Sequence, residues 1–361
     1  MTRSPPLTPA IDFLERLLNA PGPSGFEVRA ARVWRRRAEG FADRVWTDVT
    51  GNSFASVNPG GRPRVMMAGH IDEIGLQITH IDEEGFLYFD TIGGWDAQVL
   101  VGQRVRILGA DSEVPGVIGK KPIHLMKASD RTKASKVRDL WIDVGAGDRD
   151  AAGELGLRVG DAAVVDASLV RLAGDRIASR AIDNRIGAYV VLEALRGLAE
   201  SPGSAGAVAV ATVQEEIGYS GGGARTSAYS VDPDVALVVD VTFSTDAPDI
   251  NKKELGEHRL GGGPVLSRGS AAHPVVFDRL TRVAEAEGIS HSIQAAPRAT
   301  RTDADGIHLV RTGVPTGLVS VPNRYMHSPN EIVSTSDLNA AANLLAAFVR
   351  SLGEGEDFTP R

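Results

Sequence analysis

A chain of 361 residues, 42% apolar and 24% charged, has the composition of a soluble globular protein and the length for a full core and two domains. It contains no cysteine, which excludes disulfides, thiol catalysis and a thiolate metal cage, so any transition-metal site must be built from His, Asp and Glu. The net charge of −7 provides no basic footprint for nucleic acid, no run approaches the ~18 apolar residues of a membrane helix, and the opening Met1-Thr-Arg-Ser-Pro-Pro-Leu-Thr-Pro9 lacks a signal peptide's apolar region, so the cytoplasm is the expected location.

Residues 9–18 carry apolar side chains at helical spacing, and Pro21-Gly-Pro-Ser-Gly25 breaks the pattern before a second predicted helix over 27–37. Residues 45–57 read as a hairpin turning near Gly51-Asn52, and the next strand leads to His70. Over 73–172 the texture changes to short alternating runs with frequent glycine, such as Gly85-Phe-Leu-Tyr-Phe-Asp90, Arg104-Val-Arg-Ile-Leu108 and residues 114–118, which predicts a small barrel or sandwich. A unit of that size must bury its own apolar residues, with Phe86, Tyr88, Trp95 and Trp141 expected among them. The densest basic stretch, from Lys120 and Lys121 through Lys127, Arg131, Lys133 and Lys136 to Arg138, is interleaved with polar and acidic residues and reads as a solvated loop. From residue 175 an α/β alternation resumes: a strand, Asp183-Asn184, a helix to about residue 198, strands to Gln214 and Asp240, a helix over 274–287 and a last helix over 336–352. The simplest organisation is one α/β catalytic domain, residues 1–72 and 173–361, interrupted by a β-rich domain at 73–172. No internal repeat and no low-complexity segment stands out.

Four apolar runs far apart in the sequence end in, or lead to, acids or histidines. Pro63-Arg-Val-Met-Met-Ala-Gly-His70 ends in a histidine, Ala207-Val-Ala-Val-Ala-Thr-Val-Gln-Glu-Glu216 in paired carboxylates, and Val235-Ala-Leu-Val-Val-Asp240 in an aspartate. Thr316-Gly-Leu-Val-Ser-Val-Pro322 leads into His327. Short Val-rich runs of this kind read as strands buried on both faces, and ligands of open α/β sheets collect beyond the strands' carboxyl ends. Imidazole and carboxylate together are the ligand mixture of a catalytic zinc-type site. Spacing by two puts His70 and Asp72 on one side of an extended strand, so Asp72 can orient a ligating histidine. Asp183 precedes a helix, where an N-cap is the ordinary role, but beside the other signals a bridging metal ligand is the better reading. Glu215 and Glu216 would point to opposite faces of a regular strand, so both reach one site only if the chain bends there, and the glycine run Gly221-Gly-Gly223 after Ser220 permits a turn. One of the pair can then bind metal while its unligated neighbour takes a proton from metal-bound water. Asp240, at the edge of a core, needs a partner, of which a metal is one. His80, His124, His273, His291 and His308 lack such placement and read as structural or surface residues. The chain has no Walker motif, His-Glu-x-x-His or dinucleotide fingerprint, which disfavours nucleotide-dependent readings.

Gly69-His-Ile-Asp-Glu-Ile-Gly75, Gly119-Lys-Lys-Pro-Ile-His-Leu125, Arg180-Ala-Ile-Asp-Asn-Arg185, Val213-Gln-Glu-Glu-Ile-Gly218, Val239-Asp-Val-Thr242 and Arg324-Tyr-Met-His-Ser-Pro329 together resemble the M42 family of co-catalytic metalloaminopeptidases over nearly the whole chain. The resemblance implies two divalent cations per subunit, zinc or cobalt with manganese as a further choice, with His70 and Asp240 on one, Glu216 and His327 on the other, and Asp183 bridging. Glu215 would be general base and then acid, Asp72 would orient the His70 side, and the Asp183-Asn184 peptide bond would be cis. The implied fold is a zinc-peptidase-like α/β/α catalytic domain with an inserted β-rich, barrel-like dimerisation domain. The implied assembly is a dodecamer built from dimers and enclosing the sites, with short unfolded peptides as substrates. A related di-metal dipeptidase or N-acyl amino acid amidohydrolase, and from another class a non-catalytic metal-binding scaffold or peptide-binding protein, are the competing readings. The segment Thr302-Asp-Ala-Asp305 also resembles a family motif, without an assigned role.

Overall fold

The computed structural model describes residues 10–110, 112–218 and 222–361, which leaves the opening nine residues, Asp111, Tyr219, Ser220 and Gly221 outside it. Three strands precede the insert: β1 (Arg44–Thr47), β2 (Ser53–Val57) and β3 (Arg64–His70). Six follow within it: β4 (Gly75–Ile81), β5 (Leu87–Ile92), β6 (Arg104–Leu108), β7 (Glu113–Lys120), β8 (Leu140–Asp143) and β9 (Ala162–Val165). The rest are β10 (Val170–Arg171), β11 (Arg176–Ser179), β12 (Gly206–Thr212), β13 (Val235–Phe243), β14 (Val265–Arg268), β15 (Ser292–Ala295), β16 (Thr316–Asn323) and β17 (Glu331–Ser334).

An eight-stranded sheet runs in the order β1-β2-β12-β3-β13-β16-β14-β15, while β10, β11 and β17 form a small separate sheet. Its central strands β12, β3, β13 and β16 are parallel. They are Val- and Ala-rich and buried almost throughout, as strands covered on both faces must be. One face packs on the helices Ile11–Asn19, Val28–Ala38, Ile182–Glu200 and Thr335–Arg350, through Phe13, Trp34, Tyr189 and Phe348 among others. The other packs on the helices Gly222–Val231 and Asp303–Ile307, through Ala224, Ala228, Ala304 and Ile307. The result is an α/β/α sandwich.

The chain leaves β3 for β12 on one side and then crosses to β13 on the other, the kind of switch that opens a crevice at the carboxyl ends of parallel strands. Register sharpens this. β13 pairs with β3 only as far as Val238 opposite Ala68, yet follows β16 to Phe243 opposite Asn323. Asp240 therefore does not end its strand as expected, because β16 continues to satisfy the backbone for three further residues. It lies inside β13, just where β3 has parted from it.

Strands β4 to β9 close into a barrel in the order β4-β5-β8-β7-β6-β9. Its interior is filled by Leu76, Ile78, Leu87, Phe89, Ile107 and Ile142, among other mostly aliphatic residues. The aromatic residues expected inside are not there. Alternation along β5 sends Leu87 and Phe89 inward and leaves Tyr88 half-buried, while Trp95 packs against the cluster from its margin. Phe86 meets Trp141 edge-on at 6.1 Å between ring centroids, and Tyr88 tilts over His80 at 6.0 Å. The basic stretch after Lys120 is largely exposed, as expected of a solvated loop. Among the described residues no helix is long and apolar enough to cross a membrane.

Candidate metal centre

His70 is the last residue of β3, and Gly69 before it lets the strand touch the start of the helix Ile182–Glu200: a Cβ there would fall on the backbone of Gly187. At that helix start the Asp183-Asn184 bond is cis. Asn184 fastens the turn, donating from Nδ2 to Val239 O at 2.8 Å and accepting from Gly187 N at 3.0 Å. Asp183 does not cap the helix; that bond to Gly187 makes Asn184 the cap of the regular helix beyond the kink at Asp183 and Asn184. Its Oδ1 lies 3.2 Å from His70 Nε2 and its Oδ2 3.4 Å from His327 Nε2.

Glu215 and Glu216 do face one site. Glu215 Oε2 is 3.7 Å from His70 Nε2, and Glu216 Oε2 is 3.3 Å from His327 Nε2. The bend that allows this is made before the glycine run, at Gln214, where φ is 60°. Gly218 and Gly222 accommodate the turn, since a Cβ on either would press on the Gln214 carbonyl. Buried Asp72 secures it, accepting from the backbone N–H of Glu215 and of Glu216, each at 3.2 Å, and from Ser24 Oγ at 2.6 Å. Glu27, raised to about 7 by burial and by the nearby Asp72, accepts from Gly25 N at 2.7 Å. The Asp72 backbone carbonyl lies 3.3 Å from His70 Nδ1. A carbonyl only accepts, so Nδ1 carries the proton and Nε2 is free to ligate.

His327 follows β16 on a loop, with φ at 59°. Its backbone N–H donates to Glu331 Oε1 at 2.9 Å, and the other Glu331 oxygen accepts from Asp183 N at 3.0 Å, so one buried carboxylate holds the backbone on both sides of the site. His327 Nδ1 donates to Gly94 O at 2.8 Å. Asp240 Oδ1 lies 4.0 Å from His70 Nε2. The unassigned Thr302–Asp305 motif divides its roles: Thr302 caps the helix Asp303–Ile307, and Asp305 accepts from Thr300 N, Thr300 Oγ1 and Arg301 N. Asp303 instead points to the centre, accepting from Thr212 Oγ1.

The charges are strongly biased. Burial pushes Glu215 up to about 10, with Asp240, Asp303 and Glu216 adding to the rise against the pull of His70. Burial and Asp183 also hold Asp240 well above the usual carboxylate range. Against its own burial, Asp183 is kept below that range by His327 and His70. His327 is likewise pushed up to about 11 by Asp183 and Glu216, despite burial. A buried group of acids this short of positive charge calls for cations. Glu216 Oε1 is buried without a hydrogen-bond partner, and ligand atoms of His70, Asp183 and Glu216 lie within 4.8 Å of one another. Imidazole and carboxylate without thiolate is a donor set that zinc, cobalt and manganese all accept. The residues present fit a metal.

The centre opens into a cavity of about 1470 Å³, also lined by Phe243, Gln294, Arg298, Leu309 and Met326. Of the histidines only His70 and His327 line it; His258, which the sequence reading does not weigh, is buried against Ser292 Oγ and Leu255 O. Ser24, Glu27, Gly94 and Glu331 are the supporting residues that strand-end reasoning misses. Glu331 had a signal, standing four residues after His327 where the polar loop enters β17.

A mixed sheet with a parallel centre, histidines and acids gathered where its central strands part, helices on both faces and a β-barrel inserted after β3, defines a zinc-peptidase-like metallopeptidase. The profile of the M42 glutamyl aminopeptidases matches residues 51–344. The chain is 35% identical over 351 residues to the lysyl aminopeptidase of Pyrococcus furiosus, covering 97% of this chain and 99% of that one. It therefore belongs to the M42 peptidase family, and it is an aminopeptidase, a hydrolase of peptide bonds at the amino end. Its structure superposes on a TET aminopeptidase from a marine-sediment Thaumarchaeota archaeon with a TM-score of 0.90, at 35% identity and over 95% and 96% of the two chains. It superposes on the TET1 peptidase of Pyrococcus horikoshii, solved as a dodecamer, with a TM-score of 0.84, at 30% identity and over 96% and 100%.

Proposed function

We propose that the centre holds two divalent cations, one on His70 and Asp240, the other on Glu216 and His327, with Asp183 bridging and Glu215 as general base and then acid. The observation that carries this is the Asp183 carboxylate, whose two oxygens face two different histidines. When bound, such a pair polarises the scissile carbonyl and makes water acidic near neutral pH. The remaining work falls to the chain. Glu215 is the more open of the adjacent acids, its side chain 16% exposed against 6% for Glu216, so it faces the cavity by which a peptide enters. It takes a proton at Oε2 and passes it to the leaving amine. Asp72 holds the Glu215 backbone in place and keeps His70 in the ligating tautomer. Zinc or cobalt suits this donor set best, with manganese as a further choice.

Metal analysis joined to a panel of aminoacyl anilides and their N-acetylated counterparts tests the reading. Two ions per chain and hydrolysis confined to free amino groups are expected; preferential hydrolysis of the N-acetylated set would instead support an amidohydrolase.

The barrel, within residues 73–172, serves in this reading as a dimerisation domain, and dimers assemble into a dodecamer that admits short unfolded peptides in the cytoplasm. Support comes from the likeness to the dodecameric TET1 peptidase and from the barrel's outer apolar residues: half-buried Phe86, Tyr88 and Trp141, and Val117 at 47% exposure. Mass photometry at nanomolar to micromolar concentration is expected to show a twelve-chain particle. A dimer would retain the barrel's role and defeat the enclosed chamber, and a monomer would defeat both.

A further inference from the structure

The two histidines of the centre are oriented from different parts of the molecule. His70 Nδ1 meets the carbonyl of Asp72, two residues along the same chain segment. His327 Nδ1 meets Gly94, 233 residues away, on the loop that leaves barrel strand β5. That loop is shaped around the His327 side. A Cβ on Gly94 would stand 3.2 Å from His327 Nδ1, and one on Gly93, where φ is 76°, would press on Ile74 and lie 3.5 Å from Glu216 Cβ. Two successive glycines thus bring barrel backbone against both residues assigned to the second cation.

The loop is anchored at its far end, and the barrel at its root. Asp96 caps the short helix Ala97–Leu100, accepting from Gln98 N at 2.9 Å. At the root of the barrel, buried Glu73 is paired with Arg180 and with Arg185, the latter at 2.8 Å, and accepts from Gly22 N at 3.0 Å. Arg180 and Arg185 flank Asp183 in sequence, so the ion cluster that seats the barrel also seats the proposed bridging ligand.

We propose that Gly94 is a positioning residue for the second cation: its carbonyl, supplied by the inserted barrel, fixes the tautomer and direction of His327, so the Glu216–His327 side loads metal only when the barrel is seated. His70 takes the corresponding partner from its own chain segment instead. The inference rests on the two-cation reading.

The test is zinc binding by equilibrium dialysis, with cobalt(II) absorption as a reporter of coordination, on Gly94→Val, Gly94→Ala and wild type. Gly153→Ala is the control, since a Cβ at this barrel position meets nothing within 4 Å. Gly94→Val is expected to keep one ion at wild-type affinity and bind the other on the order of 10- to 100-fold more weakly, the usual effect of losing an outer hydrogen-bond partner. Its cobalt spectrum at low metal should match that of His327→Ala. Gly94→Ala should shift the same way by less, and it decides the matter if thermal unfolding shows that the valine variant has not folded. Unchanged binding of both ions in the folded variants, or equal weakening of both, would overturn the proposal. A wild type that binds only one ion would instead overturn the two-cation reading on which it rests.

Discussion

Glu215→Gln is expected to retain both cations and lose turnover by roughly 10² to 10⁴, the range of general-base contributions. The amide keeps the size and leaves the assigned ligands in place, but it cannot take a proton. Its backbone N–H still donates to Asp72, so the bend that places Glu216 should survive. The affinity for substrate should change little, because the lost interaction belongs to proton transfer. The check is kcat and KM on an aminoacyl anilide beside metal content of the same sample. Near-normal kcat with both ions bound would remove Glu215 from the role of base.

Asp183→Ala is expected to lose metal and activity together. Of the acids at the centre, Asp183 directs one oxygen to each histidine, so the substitution takes a ligand from both cations at once. It also removes one of the two carboxylates that raise His327. Metal content after gel filtration should fall on both sides of the centre, in contrast to His327→Ala, which should spare the His70 side. Full occupancy in Asp183→Ala would count against bridging. Asp183→Asn, which retains one oxygen acceptor, should fall between the two.

These outcomes depend on features that differ in how far a sequence can carry them. The α/β alternation was legible because strands buried on both faces must be apolar at every position, as in Val235 to Val239 and Ala207 to Ala211. A small barrel or sandwich was legible from spacing, but not which of the two or its contents, because alternation in β5 allows either face to be the inner one until closure selects Leu87 and Phe89 over Tyr88. His70, Asp183, Glu215, Glu216, Asp240 and His327 stood out because charged residues rarely follow such runs without a purpose.

What the sequence alone determined about this protein is a cysteine-free chain with an interrupted α/β sheet and carboxylates and imidazoles at its strand ends. Only the tertiary structure decided which of those groups meet, and by what support. The two oxygens of Asp183 are divided between His70 and His327, Gln214 makes the bend, Glu331 ties Asp183 to the His327 loop across 148 residues, and Gly94 holds His327 across 233. The physical reason is that local pattern reports periodicity and burial, which depend on neighbours within a few residues. A hydrogen bond between distant segments depends on strand order, register and the seating of one domain on another, which no local run of residues encodes.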